Sequence, residues 1–451
     1  MSRSTEQPRW SNQIGFILAT TGAAVGLGNI WKFAYMAGTH GGSAFVLIYL
    51  LCVLLVGIPL MMGEMTLGRL GRSDAITSLQ RLAQTHHAHP AWRYLGWLGA
   101  ITLLCVLSFY SVVAGWSLCY WLKAATNSFY HVSTSHIQTL WSNLLNDPVQ
   151  LMTYHALFML MTVGVVAQGI QKGLEKAARM LMPALFIILI GLVIYSLNTP
   201  GAAQGIDFLF HFNLSNITPT IAISALGHAF FTLAVGAGCI LVYGAYLPDQ
   251  APIARTVLVI TALDVLVAIL SGLAIFPLVF TYHLSPASGP GLMFETLPII
   301  FSQMAAGRWF GSLFFMLLLF AAWTSSISLL EPWVALLVER FNFRRKPACY
   351  LMGGIAWILG LVTVLSFNHW SNFKPLLNAT LFDLITDTTT NLLLPLGGLG
   401  FAWFAGHYIP EDALKKALNF KHVLSFKFFQ FNLKYTVPLG ILVIVLEALI
   451  K

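Results

Sequence analysis

Long apolar segments, separated by short polar stretches, follow one another along the whole chain. Each is close to the roughly 20 residues that a helix needs to cross a bilayer. With boundaries good to about 2–4 residues, this pattern predicts about eleven spans, at 12–36, 42–70, 94–124, 151–168, 177–197, 219–245, 256–283, 309–338, 348–367, 378–405 and 435–450. We therefore expect an all-α polytopic membrane protein that forms a single transmembrane domain, residues 1–451.

Composition supports this class, since 57% of the residues are hydrophobic and only 9% are charged, against about 25% charged in soluble domains. Scattered single cysteines indicate no disulfide framework. A membrane enzyme would require clustered nucleophiles, bases or metal ligands. The only histidine cluster, His86, His87 and His89, lies in a polar segment predicted to be a solvated loop.

The net charge of +8 is explained by topology and requires no nucleic-acid partner. If the N-terminus is cytoplasmic, most Lys and Arg residues lie in or beside cytoplasmic segments, as the positive-inside rule demands. Eleven spans then place the C-terminus outside. The polar first nine residues lead us to expect no cleavable signal peptide.

Two apolar segments contain helix-breaking residues at their centres. The run from Gly22 to Asn29 has three glycines, and the run from Thr232 to Gly238 has two. Each glycine weakens a helix by about 1 kcal/mol, and broken backbone inside a membrane must be buried in protein or line a cavity. The sequence therefore predicts broken helices 1 and 6. It also predicts two five-helix inverted repeats, about 10–197 and 219–405, plus an extra helix at about 435–450.

The first break offers free N–H groups to an anion such as a carboxylate. Its carbonyls and the Asn29 side chain offer oxygens to a small cation. The alternative is that the glycines only permit close helix packing, but Asn29 favours a binding site. The eighth span contains four hydroxyl groups within five residues, more than we expect if each only bonds a carbonyl of its own helix. Hydroxyl oxygens of this kind suit Na⁺. They belong to Thr324, Ser325, Ser326 and Ser328.

Ionisable residues inside spans are rare and therefore informative. They are Lys32, Glu64, His228, Asp264, Glu331, Asp383 and Asp387. Asp264 is placed to meet a cation directly. We expect Glu331 to bond backbone near the cytoplasmic end, and His228 to be a satisfied core histidine in preference to a proton carrier.

Several motifs together resemble one family. They are Trp10–Ala19, Ala24–Trp31, the Gly57–Glu64 stretch, Tyr110 six residues before Trp116, Phe230–Leu233 and Ser325–Ser328. From about Trp10 to Trp403 the chain resembles the neurotransmitter:sodium symporters, particularly the eleven-span bacterial transporters for leucine, tryptophan or tyrosine. The resemblance implies a symporter of the bacterial inner membrane that imports a neutral, bulky hydrophobic or aromatic amino acid with Na⁺ by alternating access. A proton-coupled transporter on the same fold, with His228 and Asp264 as the relay, remains the alternative.

The resemblance also implies the binding residues. The first sodium site would use Ala24, Asn29, Thr232 and Asp264 with the substrate carboxylate; the second would use Gly22, Val25, Ala321, Thr324 and Ser325. The substrate would contact Ala24, Gly26, Leu27, Gly28, Val106, Tyr110, Phe231, Thr232, Ala234, Ala237, Ser325 and Leu329, with Ser328 in the same apolar wall. Ala237 stands where relatives often carry a larger residue, so the pocket should accept a large side chain.

The gates are implied in the same way. Phe231 and Tyr110 would close the outer gate, helped by Lys32 paired with Asp387 or Asp383. Lys32 replaces the family's usual Arg, which predicts a looser gate. The inner gate would use Trp10, Tyr246 and Glu339, with Arg9 as the cation because the family's usual Arg is Gln7 here.

At two places the sequence departs from the ligand-binding residues of related transporters. Gly26 stands where amine transporters carry Asp, which favours a zwitterionic amino acid. At the chloride site of animal relatives Tyr49 is retained, but His228 and Ala268 replace the other ligands and Asp264 supplies a fixed negative charge, so no chloride is expected.

The apolar stretch Gly289–Pro298 is expected to fold back as a lid. The sequence leaves the oligomeric state open.

Overall fold

The computed structural model describes residues 9–129, 132–212, 217–248, 250–287, 289–376, 378–420 and 422–450. Apart from one isolated bridge, between Leu376 and Ala379, the regular structure in these ranges is helical, which confirms the all-α prediction. The helices are α1 Gln13–Ala24, α2 Gly28–Thr39, α3 Ser43–Gly71, α4 Ala75–Thr85, α5 Pro90–Ala125, α6 Thr134–Asn146, α7 Pro148–Val166, α8 Ile170–Leu197, α9 Ala202–Phe210, α10 Pro219–Thr232, α11 Cys239–Ala245, α12 Ile253–Thr281, α13 Thr296–Gln303, α14 Gly307–Phe341, α15 Arg345–Ser366, α16 Leu381–His407, α17 Glu411–Leu418 and α18 Val423–Glu447.

Within the described ranges, eight helices are long and apolar enough to cross a membrane, and two bent pairs raise that number to ten. The pairs are α1 with α2, bent by 52°, and α16 with α17, bent by 107°. The segments α10 and α11 are separately too short for this test, because six residues between them are not helical. A multi-pass membrane protein is thus confirmed, while the count of eleven spans and the inverted repeats stay predictions.

The last span differs from its prediction. It begins at Val423 rather than near residue 435, because a turn of wider helix at Asn432–Thr436 continues the helix without a break. Lys427 and Lys434 suggested a loop in the sequence, but they lie on the helix itself, where long basic side chains can extend toward the membrane surface.

Helices α5 and α14 pack against each other at the centre of the bundle, and both are mostly buried within the protein. Helix α1 lies against α14, α8 and α12, and α10 lies against α3 and α16. Both predicted breaks therefore face the middle of the bundle.

The apolar stretch Gly289–Pro298 folds back onto the bundle, as predicted. Phe294 is 1% exposed and stacks on Trp141 with ring centroids 5.1 Å apart. Its role as a lid stays a prediction.

Candidate functional site

The first break lies between α1 and α2. Val25 is extended, with φ −70° and ψ 101°, so the helix stops there and resumes at Gly28. The Asn29 side chain holds the break together, because its Oδ1 accepts a hydrogen bond from the Gly26 N–H at 3.1 Å. The broken first helix predicted from the glycines is thus present.

Asn29 also joins the break to α12. Its Nδ2 donates to Asp264 Oδ1 at 2.7 Å and to the Asp264 carbonyl at 3.1 Å. The Tyr49 hydroxyl donates to the other carboxylate oxygen at 3.4 Å. All three side chains are fully buried, as is Thr232 at the end of α10. The structure thus brings two predicted cation ligands, Asn29 and Asp264, into direct contact.

A second group of oxygens lies where α1 meets α14. The Ser325 hydroxyl lies 3.2 Å from both the Gly22 and the Val25 carbonyl oxygens, and the Thr324 hydroxyl lies 3.1 Å from the Ala321 carbonyl. A Cβ at Gly22 would stand 3.0 Å from Thr324 Cβ, so the close approach needs glycine. Hard oxygens of this kind suit an alkali or alkaline-earth cation better than a transition metal.

The second break separates α10 from α11 at residues 233–238. Gly236 and Gly238 have positive φ values of 91° and 75°, and Ala234 also adopts the left-handed region. Glu64 supports the loosened backbone, because its Oε1 accepts from the Gly236 N–H at 2.5 Å. The sequence singled out Glu64 as ionisable but gave it no partner; the structure supplies one.

A small cavity of about 50 Å³ lies between the two breaks. Its lining residues include ten of the predicted substrate contacts, namely Ala24, Gly26, Gly28, Val106, Tyr110, Phe231, Ala234, Ala237, Ser325 and Leu329. The remaining lining residues, which the sequence did not predict, are Ala23, Leu103, Phe230 and Leu394. None of the described lining residues carries a charged side chain. Spacing alone could not reveal Leu394, because nothing in the sequence tells which face of α16 meets the break.

Three further predicted pocket residues lie beside the cavity rather than in its wall. The Leu27 N–H donates to the Tyr110 hydroxyl at 3.2 Å, and Leu27 faces the outer side. Thr232 is buried next to Phe231. Ser328 is a correction: its hydroxyl is bound to Tyr243 at 2.7 Å and to the Thr324 carbonyl at 3.1 Å, which directs it away from the cavity.

Gly26 leaves no space for a side chain. A Cβ there would stand 2.5 Å from Ser325 Oγ and 2.8 Å from the Tyr110 hydroxyl. An aspartate at this position would therefore displace both hydroxyl groups.

The outer end of the site opens into a second cavity, of about 240 Å³. Tyr110 and Phe231 line both cavities and so separate them. Lys32 Nζ lies 4.5 Å from the Phe231 ring centroid, and no described carboxylate comes within 4.0 Å of it. Asp383 accepts hydrogen bonds from the backbone and hydroxyl of Thr380 as a helix cap. Of the two acids that the sequence left open, Asp387 is thus the freer partner for Lys32.

An ion pair that the sequence did not predict lies beside Tyr246, at the end of the site predicted to be the inner one. Arg345, at the start of α15, donates to both oxygens of the fully buried Glu331. The Tyr246 hydroxyl donates to the same carboxylate at 3.3 Å. The expectation that Glu331 would bond only backbone is therefore corrected. Trp10 is 3% exposed and donates from Nε1 to the Tyr243 carbonyl at 3.3 Å.

The predicted pair of Arg9 with Glu339 is not formed in the described part of the chain. Glu339 accepts from the Ser73 hydroxyl at 2.6 Å and from the Asp74 N–H at 2.7 Å. Arg9 is instead bound to α8, where the Gln171 side chain donates to the Arg9 carbonyl at 3.0 Å.

His228 is buried as expected but is not satisfied. Neither ring nitrogen has a hydrogen-bond partner among the described residues. The ring lies among Phe33, Phe45 and Tyr49, with centroids 5.3–5.9 Å away. It makes no direct bond to Asp264, and Tyr49 contacts both residues.

A helical membrane bundle with two interrupted helices, a small apolar cavity between them and oxygen groups beside it defines the class of cation-coupled membrane transporters. This chain belongs to the sodium:neurotransmitter symporter family, whose model matches residues 7–141 and 123–451. It is therefore a transporter of a sodium-dependent family and not an enzyme.

Relatives of known sequence and structure agree. The chain is 37% identical to the uncharacterised sodium-dependent transporter YhdH of Bacillus subtilis, over 98% of each protein. It is 25% identical to sodium-dependent nutrient amino acid transporter 1 of Drosophila grimshawi, over 89% of this chain and 71% of that one. The crystal structure of MhsT in complex with L-phenylalanine matches with a TM-score of 0.91 and 36% identity, over 98% of this chain and 99% of MhsT.

Proposed function

We propose that the protein imports a neutral, bulky hydrophobic amino acid together with Na⁺ by alternating access between two inverted repeats. Its location would be the bacterial inner membrane, with the N-terminus cytoplasmic and the C-terminus external. The relatives support an amino-acid substrate, since MhsT was crystallised with L-phenylalanine and the Drosophila relative is named for amino acid transport.

The observation that carries this proposal is the uncharged cavity beside the pair formed by the Leu27 N–H and the Tyr110 hydroxyl. N–H groups at a helix start suit a carboxylate. The substrate carboxylate would accept a hydrogen bond from the Leu27 N–H in place of the Tyr110 hydroxyl oxygen, and the Tyr110 hydroxyl would donate a second hydrogen bond to it. The Ala24 and Phe231 carbonyls would accept from the α-ammonium group. The apolar end would then take the side chain, at about 0.8 kcal/mol for each buried CH₂.

Two sodium ions would lie beside this substrate. The contact of Asn29 with Asp264 supports the first site, which Ala24, Thr232 and the substrate carboxylate would complete. The clustering of the Ser325 hydroxyl with two α1 carbonyls supports the second, together with Ala321 and Thr324. We propose no chloride requirement, because Asp264 would place a fixed charge beside the first ion, where a second anion would be repelled.

The decisive experiment is uptake into proteoliposomes with a competition panel of the twenty amino acids and their decarboxylated amines, with and without Na⁺. Neutral bulky amino acids should compete for uptake only when Na⁺ is present, and tryptamine or tyramine should not compete. Full uptake with gluconate in place of chloride is expected, as is loss of most activity in Asp264→Asn. Stronger competition by the amines than by their parent amino acids would contradict the substrate, and a chloride requirement would contradict the role of Asp264.

The unpartnered His228 ring near Tyr49 and Asp264 favours one alternative, proton coupling on the same fold. Uptake driven by a pH gradient without sodium, and lost in His228→Gln, would support it. Sodium-driven uptake that does not respond to the pH gradient would reject it.

The pocket wall can be tested separately. Ala237→Phe should shift preference toward smaller side chains by filling the cavity, and Leu394→Ala should shift it toward larger ones by shortening another lining side chain. A competition profile unchanged in both variants would remove these residues from the substrate site.

A further inference from the structure

A groove distant from the transport cavities lies where three parts of the chain meet. It measures about 800 Å³ and is formed by α3, by the start of α12, by Asn419 and Phe420, and by the first turns of α18. One wall is apolar, with Leu54, Leu258 and Phe428 each about half exposed. Because α3, α12 and α18 are membrane-length helices, this wall faces the lipid and not the interior of the bundle.

The other end of the groove is suited to an anion. Arg255 is exposed in it and makes no hydrogen bond or ion pair with another described residue. Among the described residues, no acidic side chain lines the groove.

Two helix N-termini open into the same end. Helix α12 starts after Pro252 and α18 after His422, and in the described part of the chain neither of these N-cap residues makes a side-chain cap bond. Both Pro252 and His422 line the groove. Their free N–H groups add positive potential to that of the Arg255 guanidinium.

We propose that this groove binds an anionic phospholipid, with the phosphate at Arg255 and an acyl chain along Leu54, Leu258 and Phe428. A free phosphate would satisfy the cation but leave the apolar wall bare, whereas a zwitterionic lipid would bring no net charge to it. Basic residues near anionic lipid each contribute about 1 kcal/mol.

The binding site has a consequence for the transport site. Arg255 and Asp264 lie on the same helix, α12, within three turns of each other. A lipid that braces the first turn of α12 would steady the helix that carries the Asp264 carboxylate.

The test is native mass spectrometry of the intact protein released from micelles that contain phosphatidylglycerol or phosphatidylcholine. Wild type should retain phosphatidylglycerol preferentially, and Arg255→Gln should lose roughly fivefold in retention, which corresponds to about 1 kcal/mol. Arg255→Lys should keep most of the retention because it keeps the charge. Arg308→Gln, at the opposite end of the bundle, is the matched control and should behave as wild type.

Equal retention of phosphatidylglycerol by wild type and Arg255→Gln would overturn the proposal. So would equal retention of the two lipids by wild type, or stabilisation by inorganic phosphate as strong as that by the lipid. None of these measurements depends on transport, so the lipid site and the proposed function can fail independently.

Discussion

The two ends of the transport pathway are closed by different chemistry. At the inner end, a fully buried carboxylate is held by two donors from Arg345 and one from Tyr246. At the outer end, Lys32 rests over the Phe231 ring and no described carboxylate lies within 4.0 Å. A cavity of about 240 Å³ remains there. A guanidinium group holds a carboxylate in a fixed geometry, whereas an ammonium group binds with less directional constraint. The predicted inner end, at Glu331, is therefore held more firmly than the predicted outer end, at Lys32.

Breaking the inner clamp should produce the largest effect. Arg345→Met leaves the Glu331 carboxylate buried without its cation, which typically costs about 3–5 kcal/mol. We expect a marked loss of thermal stability and a shift toward an inward-open state, measured by cysteine labelling from the cytoplasmic side. The double variant Arg345→Met with Glu331→Met should recover most of the stability. If the single variant is as stable and as closed as wild type, the pair does not hold the inner end.

The second largest effect concerns the oxygen cluster where α1 meets α14. Ser325→Ala removes the hydroxyl that lies between the Gly22 and Val25 carbonyls. Loss of one oxygen from a charged ligand set costs about 1.5–3 kcal/mol, so the Na⁺ midpoint for substrate binding should rise about tenfold or more. Ser326→Ala is the control, since that hydroxyl bonds Thr162 and its own helix. Matching sodium titrations in the two variants would exclude Ser325 as a ligand.

A smaller effect is expected from strengthening the outer clamp. Lys32→Arg would give Asp387 a bidentate partner and make the two ends more alike. We expect tighter retention of substrate and slower uptake, with a gain of about 1 kcal/mol for the closed outer gate. The measurement is substrate dissociation from detergent-solubilised protein. Faster dissociation than in wild type would contradict the assignment of Asp387.

The smallest effect separates the two outer acids. Asp387→Asn should alter substrate dissociation with little loss of stability. Asp383→Asn should instead lower thermal stability by about 0.5 kcal/mol, because it weakens the capping box at the start of α16 but leaves the Thr380 N-cap in place, and should leave dissociation unchanged. The reverse outcome would make Asp383 the gate residue.

These ends also show how far the sequence can be interpreted. The glycine runs predicted both breaks, because glycine weakens a helix and a run of glycines inside an apolar segment is visible in the sequence. The clamp at Glu331 was missed because Arg345 stands among Arg344 and Lys346 in a basic stretch between two spans, and nothing local indicates which of the three turns inward. Leu394 was missed for the same reason, since contacts between distant helices depend on their relative rotation. The start of α18 was missed because Lys427 and Lys434 make this part of the sequence more polar than a typical membrane span.

The bond from Glu64 to the Gly236 N–H has a consequence for how the transporter can change its substrate. One carboxylate on α3 replaces hydrogen bonds that the interrupted helix cannot make for itself. The shape of residues 233–238 is therefore maintained partly from outside. A side chain such as that of Ala237 can then change in size while the Glu64 bond still supports the backbone that presents it. The residue that supports the broken backbone, Glu64, is therefore not among the residues that line the cavity, so a substitution in the cavity wall leaves this support in place.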